Sequence, residues 1–209
     1  MKLLFYLLLL IGQFCYAQDS SKVKKLIEQA LIYEQKGDIE NAIKTHKKIF
    51  EINSDSYQSA NSIAGLYGLN QNFSDEIIWA QKAIKIKQNF SMGYINLGNG
   101  YAGQGDLKKA EEYYNQAEKY DSLSPYPPYS LGVLEENKGN FKAAIIYYEK
   151  SVSRDSTFEN GYFNLAAAYA NIKDLKKANI NILKVLELNP NAKDAQEMHE
   201  HIMKEILRQ

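Results

Sequence analysis

Large and small apolar residues recur along this chain at a fixed interval of 34 residues, in five copies that start at Val23, Tyr57, Ser91, Pro125 and Glu159. In the third copy Tyr94, Leu97, Gly98 and Tyr101 fall at the i, i+3, i+4, i+7 spacing of one helix face. Gly105-Asp106 then breaks the pattern, and a second helix follows with Ala110, Tyr114 and Ala117 on its inner stripe and Tyr120 closing the copy. Gly98 and Ala110 lack bulk where two helices must approach, and the tyrosines fill the spaces between neighbouring pairs. A helical hairpin of this size has no interior of its own, so consecutive copies must stack to bury their stripes.

The other copies hold the same register. The first has Leu26, Ala30, Tyr33, Gly37, Ala42 and Ile49, the fourth Leu131, Gly132, Gly139, Ala144, Tyr148 and Ser151, and the fifth Tyr162, Leu165, Ala166, Tyr169, Ala178, Ile182, Val185 and Pro190. In this spacing of aromatic, Leu, Gly or Ala, and Tyr residues the chain resembles the tetratricopeptide repeat family. The resemblance implies an all-α, right-handed α/α superhelix of five helix-turn-helix units: 23–56, 57–90, 91–124, 125–158 and 159–192. Residues 193–209 read as a capping helix, with Ala195, Met198, Ile202 and Ile206 on a single apolar stripe. The second copy departs from the rest: Glu76 stands where the others carry Ala42, Ala110, Ala144 and Ala178, and a carboxylate in that seam is costly unless paired or brought to water. In the fourth copy Pro125, Pro127 and Pro128 predict a helix that starts near Pro127, with Tyr126 in an extended lead-in beside Tyr129.

Residues 1–17 stand outside the repeats. Lys2, the apolar run from Leu3 to Ile11 and the small residue Ala17 have the layout of a secretory leader cleaved before Gln18, followed by a short lead-in over 18–22. The reading is an exported protein, periplasmic or extracellular, with no transmembrane anchor after cleavage; lipid attachment at Cys15 is the alternative. Cys15 is the only cysteine, so the mature chain would hold no disulfide, thiolate metal site or cysteine nucleophile. Charge is balanced at 25 basic against 25 acidic side chains, which gives no footprint for a nucleic-acid partner.

The residues that carry chemistry elsewhere are not arranged for it here. His199 and His201 lie two apart on one helix, roughly 200° around its axis, and cannot share an ion. His46 takes a core aromatic position of the first copy. Gly98-Asn99-Gly100 and Gly103-Gln104-Gly105 follow no strand, so they do not read as a phosphate loop. The expectation is no catalytic residue, no metal site and no cofactor, with enzyme activity kept only as an alternative.

Opposite the core stripe of each first helix lies a nearly uncharged face. Asn61 in the second copy, Met92, Asn96 and Asn99 in the third, Tyr126, Tyr129, Val133 and Asn137 in the fourth, and Phe163, Asn164 and Asn171 in the fifth are the candidate peptide-binding groove. Asparagine offers a donor and an acceptor to a main chain, and aromatic rings supply rigid apolar contact. Asn96 and Asn164 occupy equivalent places, similar to the asparagine ladders of some tetratricopeptide proteins, with Ser130 interrupting the series. The basic clamp that other members use for a terminal carboxylate is not expected, because Ile27, Leu31, Ser62, Met92 and Asn96 hold its places. These readings converge on a non-catalytic scaffold or adaptor of the cell envelope that binds a protein or peptide partner in its groove. The rival is an envelope scaffold that binds peptidoglycan or self-associates through its outer surface.

Overall fold

The computed structural model describes residues 20–208, so the leader reading over 1–17, Cys15 included, lies outside the described residues. Eleven helices make up the described part: α1 over 20–35, α2 Ile39–Ile52, α3 Tyr57–Leu69, α4 Phe73–Ile86, α5 Ser91–Gly103, α6 Leu107–Tyr120, α7 Tyr126–Asn137, α8 Phe141–Arg154, α9 Glu159–Asn171, α10 Leu175–Leu188 and α11 Lys193–Ile206. No strand occurs among the described residues. The chain divides after Gln104 into two compact units, the first holding α1 to α5 and the second α6 to α11.

Each hairpin turns on the same device. The residue that ends the first helix's turn has left-handed backbone in all five copies: Gly37 (φ 68°), Gln71 (φ 57°), Gly105 (φ 82°), Gly139 (φ 77°) and Lys173 (φ 65°). Glycine adopts this conformation without steric penalty, whereas Gln71 and Lys173 bring a Cβ into it. The next residue starts the second helix, and Asp38, Asn72, Asp106 and Asp174 accept a hydrogen bond from the N–H three residues on. Asn140 is the exception; its side chain donates instead to Glu135 Oε2 at 2.9 Å and leaves α8 uncapped.

Within the first unit, Ala42, Ile43, Ile63 and Leu66 form a core flanked by Tyr33, Ile39, Tyr67 and Trp79. Helix α5 presses against α4 through its glycines: a Cβ on Gly100 would come within 2.6 Å of Ile77 Cγ1, and one on Gly103 would overlap the Phe73 ring. Within the second unit the core runs through Ala144, Tyr148, Leu165, Tyr169, Ile182 and Val185 to Ala195 and Ile202 of α11, whose apolar stripe closes that end. Gly132 is small because the Tyr148 ring lies where its Cβ would be, 2.5 Å away.

Two local expectations are corrected. Helix α7 begins at Tyr126, one residue before the expected start, because prolines at the first helical positions surrender only N–H groups that have no partner there anyway. Tyr120 is 43% exposed at the end of α6 and so does not serve as a core residue.

The seam of the second copy explains Glu76. Its residue is 2% exposed, and its carboxyl lies against Gly68, within 2.6 Å of where a Cβ would stand. In the first copy the equivalent of Gly68 is Glu34, which pairs with His46 Nε2 at 2.7 Å; in the fourth it is Glu136, which accepts from Tyr148 Oη at 2.5 Å. The counterpart of His46 and Tyr148 in the second copy is Ala80. The acid has therefore moved from the first helix to the second, and Gly68 and Ala80 vacate the volume it fills. It is not brought to water: Oε2 has no partner, and burial pushes the carboxyl up from about 4.5 to about 8.

Glu76 therefore stays protonated in the fold while the unfolded chain ionises above pH 4.5 or so, and its contribution is fully present below that pH and lost as pH rises through about 8. Thermal melts of Glu76→Gln should lack that decline, exceeding the wild type above pH 8 by about 2–4 kcal/mol and matching it near pH 4. Gln71→Gly and Lys173→Gly should each stabilise by about 0.5–1 kcal/mol in urea titrations, by relieving left-handed backbone at a non-glycine residue.

Candidate functional site

The candidate groove residues divide between the two units, and each group has its own hydrogen-bonded frame. In the first unit α3 presents Asn61 and α5 presents Met92, Asn96 and Asn99. Asn96 is 8% exposed, and its Nδ2 donates to Asn61 Oδ1 at 2.9 Å and to the Asn61 carbonyl at 3.2 Å. Met92 and Asn61 are half-buried and Asn99 is exposed. Ile95, on the same face of the helix by spacing, is buried and belongs to the core.

In the second unit α7 presents Tyr126, Tyr129, Val133 and Asn137, and α9 presents Phe163, Asn164 and Asn171. Asn164 Nδ2 donates to Tyr129 Oη at 3.1 Å and more weakly to Tyr148 Oη at 3.4 Å. The rings form a cluster: Tyr129 meets Phe158 edge-on at 5.1 Å and Tyr148 at 5.9 Å, and Tyr126 meets Phe158 at 5.3 Å. Burial raises the Tyr129 phenol above its ordinary value, and burial with the neighbouring Glu136 does the same to Tyr148, so both hydroxyls stay protonated and able to donate. Phe163 lines a cavity of about 440 Å³ with Glu159, Asn160, Val185 and Asn189. Asn137 and Asn171 are exposed, and Asn171 Nδ2 is turned back to the Ala167 carbonyl of its own helix at 3.0 Å.

The same strut thus appears once in each unit. A residue on one first helix accepts from an asparagine 35 positions later on the next first helix, Asn61 from Asn96 and Tyr129 from Asn164. Those amide donors are engaged within the fold, as is the Asn61 Oδ1 acceptor, while Asn99, Asn137 and Tyr126 are exposed on these helices. Phe158 was missed in the sequence. The signal was present, since Phe90 stands 68 residues before it, two repeat intervals, and packs edge-on to Tyr57 at 4.8 Å as Phe158 does to Tyr126.

The histidines take separate partners. His46 is buried against Glu34, His199 Nδ1 lies 2.8 Å from Asn179 Oδ1, and His201 lies 3.4 Å from Glu205. Among the described residues there is no group of three or more His, Cys, Asp or Glu side chains placed to hold a metal, and no helix is long and apolar enough to cross a membrane.

Helix hairpins of this length, stacked on small seam residues and presenting a weakly charged inner face, define a protein-interaction scaffold of repeated units. The chain belongs to the tetratricopeptide repeat family, whose models match residues 26–56, 91–123, 129–158 and 160–192. Residues 57–90, the copy in which Glu76 has changed helix, fall outside those ranges. The protein O-mannosyl-transferase TMTC3 of Homo sapiens is 24% identical over 175 residues, covering 79% of this chain, and the chain spans 19% of that relative's length. A thermophilic tetratricopeptide protein of Thermus thermophilus, TTC0263, superposes with a TM-score of 0.78 at 14% identity, over 87% of this chain and 98% of that one. The first such domain of Spaghetti (RPAP3), solved bound to an HSP90 peptide, superposes with a TM-score of 0.54 at 22% identity over 56% of this chain and 94% of its own. These likenesses establish the solenoid fold; proteins of this family are in general non-catalytic interaction scaffolds.

If the strut in the second unit couples Tyr129 to Asn164, a double-mutant cycle of Tyr129→Phe and Asn164→Ala should give a coupling of about 0.5–1.5 kcal/mol in chemical denaturation. Additive single effects would show that the two side chains act independently.

Proposed function

We propose that this protein is an exported, non-catalytic adaptor of the cell envelope that holds an extended or helical protein segment along the inner faces of its first helices. The supporting observation is the paired strut, Asn96 on Asn61 and Asn164 on Tyr129, which pre-orders polar and aromatic groups on those faces before any partner arrives. Preordered side chains lose little entropy on binding, and that favours affinity. Residence in the envelope rests on the composition of residues 1–17. The peptide-bound relative supports a peptide as the kind of ligand, while the family's basic clamp has no counterpart in Ile27, Leu31, Ser62 and Met92.

A second reading has its own observation. Ile146, Ile180 and Leu183 are 67%, 59% and 45% exposed on α8 and α10, helices that carry none of the inner-face residues. Self-association or glycan binding through that outer surface would use them.

Photo-crosslinking residues placed singly at Asn99, Asn137 and Asn171, and at Ile146 and Ile180 as outer controls, separate the two. In the exported protein the first three should crosslink to a protein of different sequence, and the controls should not. Crosslinks from the outer positions alone, or only between copies of the chain, would overturn the groove reading.

A further inference from the structure

Charge is distributed unevenly between the two units. Residues 20–104 carry ten lysines against eight acidic side chains, one of them the protonated Glu76, and among the described residues none of those ten lysines lies within 4.0 Å of a carboxylate. The second unit differs: Lys109, Lys138, Lys150, Arg154, Lys173, Lys177, Lys184 and Lys204 all stand in ion pairs there. Several lysines of the first unit lie instead beside aromatic rings. Lys82 Nζ sits 3.7 Å above the Trp79 ring, and Lys47 donates to Tyr67 Oη at 2.8 Å while lying 5.8 Å from Trp79.

Beside this group a cleft of about 630 Å³ opens along α2, with Ile39, Ile43 and Tyr67 as its apolar lining and Lys44, Lys47 and Lys48 on its rim. Glu40 and Glu51 also line it, and among the described residues no cation lies within 4.0 Å of either. From Ile39 to Glu51 the helix rises about 18 Å, the span of about five residues of extended chain. Trp79 stands behind Lys47, 5.8 Å from its Nζ, and meets Phe50 edge-on at 5.3 Å.

We propose that this outward face of α2, apart from the groove, docks an acidic polypeptide segment that alternates carboxylates with apolar side chains. The unneutralised lysines specify the carboxylates, the isoleucine and tyrosine lining specifies apolar side chains between them, and the length specifies an extended run. Purely anionic polymers satisfy only the rim. Ion pairs formed on such a rim speed encounter and set specificity, and salt weakens them.

Trp79 is the only tryptophan and lies 5.8 Å from Lys47 Nζ, so its emission reports on an ion drawn to that lysine without a label. A short peptide alternating glutamate with leucine, titrated into the purified full chain, should change that emission saturably, with affinity falling as salt rises. Reversing the exposed rim in a Lys44→Glu, Lys48→Glu variant should weaken the peptide by about tenfold or more while circular dichroism stays unchanged. Phe163→Ala, in the groove, should leave it unaltered, which keeps this test separate from the groove reading. Three results would overturn the proposal: no saturable change, equal binding by the reversed variant, or equal binding by oligoglutamate without leucine. Sedimentation showing that the free chain already pairs through this face, so that peptide cannot compete, would assign it to a second copy and overturn it as well.

Discussion

The structure depends on how closely the two helices of a hairpin approach, and a single seam position sets that distance. Ala42, Ala144 and Ala178 are wholly buried where the two helices of a hairpin meet within a unit, and a methyl group fills the seam there. Once the helices are that near, the residues one turn further along must fill whatever space remains between them. His46 reaches Glu34 and Tyr148 reaches Glu136 across the hairpin, each closing the gap with a charge-bearing partner half hidden from water. Van der Waals packing and hydrogen bonding are therefore solved together in each of these copies. The second copy shows the rule by exchanging its parts: with the acid moved onto the alanine position, both residues that would have collided with it are reduced, to Gly68 and Ala80.

That exchange preserves volume but not polarity. In the first and fourth copies the acid meets a donor; in the second Oε2 meets none, and keeping its proton is the least unfavourable way for the carboxyl to remain buried. Tertiary packing alone has no means of supplying a charge partner here, because Ala80 cannot provide one. The first unit thus contains one carboxyl that does not offset its lysines under ordinary conditions, which sharpens the contrast with the paired second unit.

Much of this was legible along the chain. The 34-residue period gave the hairpins, because an amphipathic face with a small residue at the seam admits one packing, and α11 could be read as a closing helix from Ala195, Met198, Ile202 and Ile206. The site was legible only as a face. What the periodicity could not reveal was which polar residues on that face are consumed by the fold. Pairing between copies could have revealed it: where the later position is asparagine, at Asn96 and Asn164, the earlier one is Asn61 or Tyr129, and where it is serine, at Ser62 and Ser130, the earlier one is Ile27 or Ile95. A single-helix reading treats those positions as separate and so reads Asn96 as open. Tyr120 failed for another reason, since a helix's last residue can leave the core without disturbing the spacing that precedes it.

The two faces of the first unit now have distinct physical characters. Its inner face is neutral and hydrogen-bonded in advance by the Asn96 strut, so a ligand there must match a fixed pattern of small polar groups and side-chain shape. Its α2 face is cationic and set beside a ring: the ammonium groups of Lys47, on α2, and of Lys82, on α4, lie 5.8 Å and 3.7 Å from the centre of the Trp79 ring. A neutral preordered surface selects by fit and releases slowly, whereas an unpaired cationic one gathers partners from a distance and yields to salt. A scaffold carrying both can recruit by charge on one helix row and hold by shape on the other, without any residue serving two roles.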